Sequence, residues 1–106
     1  MSDLKCDNCP MIDLIDRKWV RRILKMLLIE GAMRFSELER SLTGISPKTL
    51  TERLRDLEEK EMVVRTVYAE VPIRVEYSLT ERGVEVARLV VATCDWVKKW
   101  YPAAAS

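Results

Sequence analysis

A chain of 106 residues should bury roughly two-thirds of its unfolded surface in one core, so a single domain is expected without disulfide or metal staples. Hydrophobic residues at 48% against 33% charged residues fit a globular protein, no segment is apolar and long enough to span a bilayer, and the acidic start Met1-Ser2-Asp3 is unlike a secretory leader. A cytoplasmic location is expected, and with a formal charge of only +1 any nucleic-acid binding must rest on local charge.

Residues 1–9 read as an N-terminal arm. Its Cys6-Asp7-Asn8-Cys9 segment spaces two thiols as metal sites and dithiol redox motifs do. A metal site normally needs four ligands, and the chain has no histidine and one further cysteine, Cys94, so a metal would have to be shared between subunits or use a carboxylate. No metal or cofactor is assigned. A dithiol enzyme would need a thioredoxin-like βαβ pattern, which is missing around these residues, so no enzymatic activity is expected. Cys9 precedes Pro10, the expected first residue of a helix through Ile15, whose dipole favours a thiolate while Asp7 opposes it. Cys9 and Cys6 are therefore redox-sensing candidates, with an inert thiol as the alternative.

Between Pro10 and Glu30 the apolar pattern breaks at Asp16-Arg17 and resumes with Trp19, Val20, Ile23, Leu24, Leu27 and Leu28, which predicts two helices, the second ended by Gly31. The polar side of the second carries Arg17, Lys18, Arg21, Arg22 and Lys25, the densest basic cluster in the chain. Such a face is either solvated or laid against a phosphate backbone, and Lys18 and Arg22 are the candidate contacts.

From Phe35 to Leu57 the chain reads as helix, Gly turn, helix. Ser36 is the expected cap of the first helix, with Leu38 and Leu42 on its apolar side; Thr43-Gly44-Ile45 turns the chain. Ser46-Pro47 then starts the second helix, because the serine oxygen can accept orphan N–H groups and proline at the first position loses no hydrogen bond. Leu50, Leu54 and Leu57 mark its buried side, leaving Lys48, Glu52, Arg55 and Glu59 outward with Thr49 and Thr51 on the flanks. The candidate DNA contacts are Ser36, Ser46, Lys48, Thr49, Thr51, Glu52 and Arg55.

After Lys60 the pattern alternates. Residues 62–68 and 75–79 are β-rich and flank a loop, which predicts a hairpin wing with Arg74 near its tip facing a minor groove or phosphate, or simply solvent. Thr80 caps a last helix to about Tyr101, and residues 102–106 read as a frayed tail. That helix is apolar over about two-thirds of its circumference, more than one small domain can bury. A homodimer is expected through the N- and C-terminal helices, with Met11, Leu14, Leu89, Val90, Trp96, Val97 and Trp100 at the seam. The fold class is mainly α with a small β-hairpin: a winged helix-turn-helix over residues 10–101.

Taken together, Asp13-Leu14-Ile15 with Lys18-Trp19, Arg34-Phe35-Ser36-Glu37-Leu38, Gly44-Ile45-Ser46-Pro47-Lys48-Thr49-Leu50-Thr51, Arg53-Leu54, Leu57, Glu70-Val71-Pro72, Val75-Glu76-Tyr77-Ser78-Leu79-Thr80 and Gly83 resemble the HxlR-type family of MarR-like winged-helix transcriptional regulators. The resemblance implies a homodimer on double-stranded DNA with palindromic half-sites, and an electrophile or oxidant sensed at a Cys-Pro, here Cys9-Pro10. Three departures from the family pattern matter. Asp16-Arg17 replace a usual Gly-Gly, implying a less sharp first turn. Glu52 replaces a common glutamine, and an acid there repels phosphate and prefers a cytosine amino group. Ile73 replaces a second wing proline. The competing function is a winged helix that binds protein instead of DNA.

Overall fold

The computed structural model of the chain describes residues 9–105. Five helices and one hairpin follow in order: α1 Pro10–Asp16, α2 Val20–Glu30, α3 Phe35–Ser41, α4 Pro47–Glu59, β1 Val63–Tyr68, β2 Arg74–Leu79 and α5 Glu81–Trp100. Helix α2 is the central post. Val20, Ile23, Leu24 and Leu27 recur on one face and are at most 2% exposed, so α1, β2 and α5 can all pack against it. Leu38 of α3, Leu50, Leu54 and Leu57 of α4, and Met62 and Val63 at the hairpin base complete the core. Each of these side chains contributes about 1.5–3 kcal/mol by leaving water.

The turn between α1 and α2 is sharp in spite of its missing glycines. Trp19 adopts the left-handed conformation at φ 81° as the N-cap of α2, which lets residues 17–19 reverse the chain, with the Val20 N–H donating to the Arg17 carbonyl at 3.2 Å. The less sharp turn expected from Asp16-Arg17 is corrected accordingly. Gly31 ends α2 at φ 79°, its N–H donating to Leu27 O at 3.0 Å. A second correction concerns the α3 cap. The N-cap residue is Arg34, whose backbone N–H donates to the Glu37 carboxylate at 2.8 Å; Ser36 lies inside the first turn, exposed.

The hairpin is antiparallel in a register running from Val63 opposite Leu79 to Tyr68 opposite Arg74. Met33 adds a third, one-residue rung by exchanging backbone hydrogen bonds with Tyr77 at 2.9 and 2.8 Å, so the α2–α3 link is sewn to the base of the wing. Burial, then the charge of Glu58, raises the Tyr77 phenol above its ordinary value, with Arg65 opposing. Helix α5 starts at Thr80, whose hydroxyl oxygen accepts the Gly83 N–H at 3.1 Å and whose proton goes to Glu61 O at 2.6 Å. After α5, Pro102–Ala105 form a 3-10 turn. A Cα radius of gyration of 15.1 Å exceeds the about 13 Å of a compact domain this size, as expected when a 20-residue helix and a wing project from a small core.

Candidate nucleic-acid interface

Helix α4 owes its start to Ser46. Its hydroxyl oxygen accepts the Thr49 N–H at 3.1 Å and its proton goes to the Thr49 hydroxyl at 2.9 Å, while Pro47 fills the first helical position. The Thr51 hydroxyl donates back to Pro47 O at 2.8 Å. Three of the sequence candidates thus spend hydrogen bonds on the helix itself. Lys48, Glu52, Arg55 and, at the far end, Glu59 are exposed and engage no partner among the described residues, so they are the charged groups α4 has free to offer. The opposite side is locked down by its leucines, at most 1% exposed.

The helix is also braced from behind, by residues that a search for exposed charge does not single out. Arg53 Nε donates to the Lys18 carbonyl at 3.2 Å, and Asp56 accepts from Arg17 Nη1 at 3.0 Å. These contacts tie α4 to the α1–α2 turn. The i, i+3 spacing of Arg53 and Asp56 was the available sequence signal. The basic cluster, expected to be either solvated or laid against a phosphate backbone, is divided among different surroundings. Arg17 is paired with Asp56, the Lys18 and Arg22 cations lie 5.4 and 5.1 Å from the centre of the Trp19 ring, and Arg21, Arg22 and Lys25 border a hollow between α2 and α5.

Arg74 belongs to β2 and is not free at the wing tip as expected. Its Nη1 donates to Glu76 at 2.7 Å, its Nη2 to Glu70 at 3.0 Å, and the guanidinium lies 3.9 Å from the Tyr68 ring centre. The hydrogen bond that Arg74 donates to Glu70 is the strongest influence holding its guanidinium above the ordinary arginine value; burial opposes, and the charges of Glu70 and Glu76 and the hydrogen bond to Glu76 add to the rise. Within the protomer these contacts make Arg74 a clamp closing the wing. The tip itself presents Val71 and Ile73, both exposed.

Away from α4, Trp96 and Trp100 of α5 and Tyr101 just after it are 55%, 61% and 56% exposed, an aromatic face in which the Trp96 and Tyr101 ring centres lie 5.7 Å apart and Lys99 Nζ lies 5.5 Å from that of Trp100. Leu89 is exposed, while Val97 and Met11 are half-buried. Of the expected seam residues, Leu14 is 4% and Val90 9% exposed, because α1 and α5 turn them toward the protomer's own interior. Cys9 sits half-buried at the N-cap of α1, its carbonyl accepting the Asp13 N–H at 3.1 Å, and Cys9 and Cys94 are free thiols. Cys6 lies outside the described residues.

Comparison with known proteins agrees with this geometry. The family model described as HxlR-like helix-turn-helix matches residues 14–105. The chain is 39% identical over 98 residues to the HTH-type transcriptional regulator YvaP of Bacillus subtilis strain 168, covering 89% of this chain and 90% of that one. Among solved structures it superposes on the redox regulator HypR in its oxidized form with a TM-score of 0.75 and 39% identity, covering 84% and 91% of the two chains. The reduced form of the transcriptional regulator YodB from B. subtilis gives 0.72 and 32%, covering 88% and 94%. With a capped and braced reading helix, a hairpin wing and a family match over nearly its whole length, the chain belongs to the HxlR-type family of helix-turn-helix transcriptional regulators.

Proposed function

We propose that this regulator acts in the cytoplasm as a homodimer that lays two α4 helices into successive major grooves of a palindromic operator, about one DNA turn apart. The observation that carries the proposal is the division of labour between two exposed surfaces: Lys48, Glu52 and Arg55 on α4, and Trp96 and Trp100 on α5 with Tyr101 just after it. The first suits DNA, with Lys48 and Arg55 as phosphate or guanine contacts and Glu52 as a cytosine acceptor. The second, with Met11, Leu89 and Val97, suits a copy of itself. Ser46, Thr49 and Thr51 position α4, and Lys18 lies beside its brace. The input is an oxidant or electrophile acting at Cys9, at the start of α1, a reading supported by the similarity to HypR, a redox regulator with an oxidized form. A small angular shift of the two reading helices then suffices, because both half-sites must be engaged at once.

Selection of bound fragments from genomic DNA with the purified protein, repeated after mild oxidation, tests this reading. A palindromic motif whose recovery changes on oxidation supports it. Absence of any salt-dependent DNA enrichment favours the protein-binding function instead.

A further inference from the structure

Helix α4 is held to the core by leucines and to the rest of the chain by charge. Burial of Leu50, Leu54 and Leu57 is non-directional, so it keeps α4 down without choosing between small slides and rolls over the surface beneath. The directional contacts are Arg53 Nε on the Lys18 carbonyl at 3.2 Å and Asp56 on Arg17 Nη1 at 3.0 Å, with Arg53 Nη1 3.9 Å from the same carboxylate. Both end on the α1–α2 turn. That turn carries the left-handed Trp19, whose ring edge lies beside Gly44 in the turn leading into α4. One turn thus meets the reading helix at its middle and just ahead of its start. A glycine at 17, as in the family pattern, could form no ion pair, so the Arg17–Asp56 contact departs from that pattern.

We propose that the Arg17–Asp56 pair, with Arg53 beside it, positions α4 and so sets how far this regulator discriminates its operator from other DNA. The inference rests on α4 reading DNA. Base-edge hydrogen bonds tolerate little misplacement, whereas attraction to phosphates is long-ranged and survives a small shift of the helix. Releasing the brace therefore weakens sequence preference more than it weakens binding to DNA at large. Asp56 gives the inference a sign that charge alone does not. An acid on the reading helix opposes phosphate, so its removal would tighten every complex if the residue did nothing else.

The full-length wild type, Asp56→Asn, Arg17→Gln and the double variant are titrated across a salt series with the genomic fragment the wild type selects most strongly and with a scrambled duplex of the same length. Asp56→Asn should lower the ratio of the two affinities by on the order of fivefold, the upper end for an exposed ion pair, with no weakening on the scrambled duplex. Arg17→Gln should lower the ratio with its salt slope unchanged, and the double variant should match Asp56→Asn, since the two side chains act as one unit. Partial unfolding would reduce both affinities alike and leave the ratio where it was. Asp56→Asn affinities that rise together, an Arg17→Gln loss equal on both duplexes with a flatter salt slope, or a further fall in the double variant overturns the proposal. A wild type that prefers no fragment overturns the DNA reading along with it, whereas a wild-type preference kept in full by both single variants overturns this inference alone.

Discussion

Arg74 and Glu76, two residues apart on β2, are joined by a 2.7 Å hydrogen bond that makes the wing a closed unit, because the same guanidinium reaches Glu70 across the hairpin loop at 3.0 Å. Arg74→Ala should therefore open the wing more than it removes a DNA contact. Amide hydrogen exchange over residues 68–74 should accelerate, and operator affinity should fall severalfold with an unchanged salt slope. A salt slope lowered by about one unit would instead make Arg74 a direct phosphate contact.

Gly83 tests how α5 is seated. A Cβ there would run into the Met62 backbone carbonyl, leaving no room for even the smallest side chain. Gly83→Ala should destabilise the fold by roughly 1–3 kcal/mol through forced backbone displacement, in spite of alanine's better helix propensity. Gly44→Ala should also destabilise, through φ 95° alone, since the nearest atom to its added Cβ, on Trp19, is 3.8 Å away. Urea unfolding of both variants measures the difference.

Helix periods and the caps of α4 and α5 were legible because they depend on neighbours in sequence: the α4 leucines, Ser46-Pro47 and Thr80 are where the spacing put them, whereas the α3 cap is Arg34 and not Ser36. Pairings across the chain were not. Nothing local says that Arg53 will reach Lys18, or that Met33 will bond Tyr77. Charged residues were the hardest to place, since an arginine pattern looks the same whether its partner is a phosphate, an internal carboxylate as at Arg74, or an apolar hollow as at Arg21. Leu14 and Val90 show the same limit for apolar residues, because breadth of an apolar face does not tell which part of it the protomer itself covers.

Assembly follows from the α5 face. Trp96→Glu should give a folded monomer by light scattering, because an unpaired carboxylate in a desolvated interface costs several kcal/mol. Leu14→Glu should unfold the protein rather than divide it, the residue being 4% exposed within its own core. An unchanged dimer for Trp96→Glu would move the seam elsewhere.

Thiol regulation is separable by single substitutions. Operator affinity titrated against a mild oxidant or quinone should change for wild type and Cys94→Ser but stay level for Cys9→Ser, with Cys6→Ser showing whether a second thiol takes part. A Cys9→Ser protein that responds as wild type does would take the sensor away from α1.

The central claim is that the exposed side of α4 reads DNA, and Arg55 is its most direct test because that side chain is exposed and holds no partner among the described residues. Binding of wild type and Arg55→Ala to the selected operator and to a scrambled duplex is measured across a salt series. The account predicts a loss of roughly 1–3 kcal/mol on the operator, with weakened sequence preference if Arg55 reads a guanine edge or a flatter salt slope if it holds a phosphate. An Arg55→Ala protein with unchanged affinity and unchanged salt slope would contradict it.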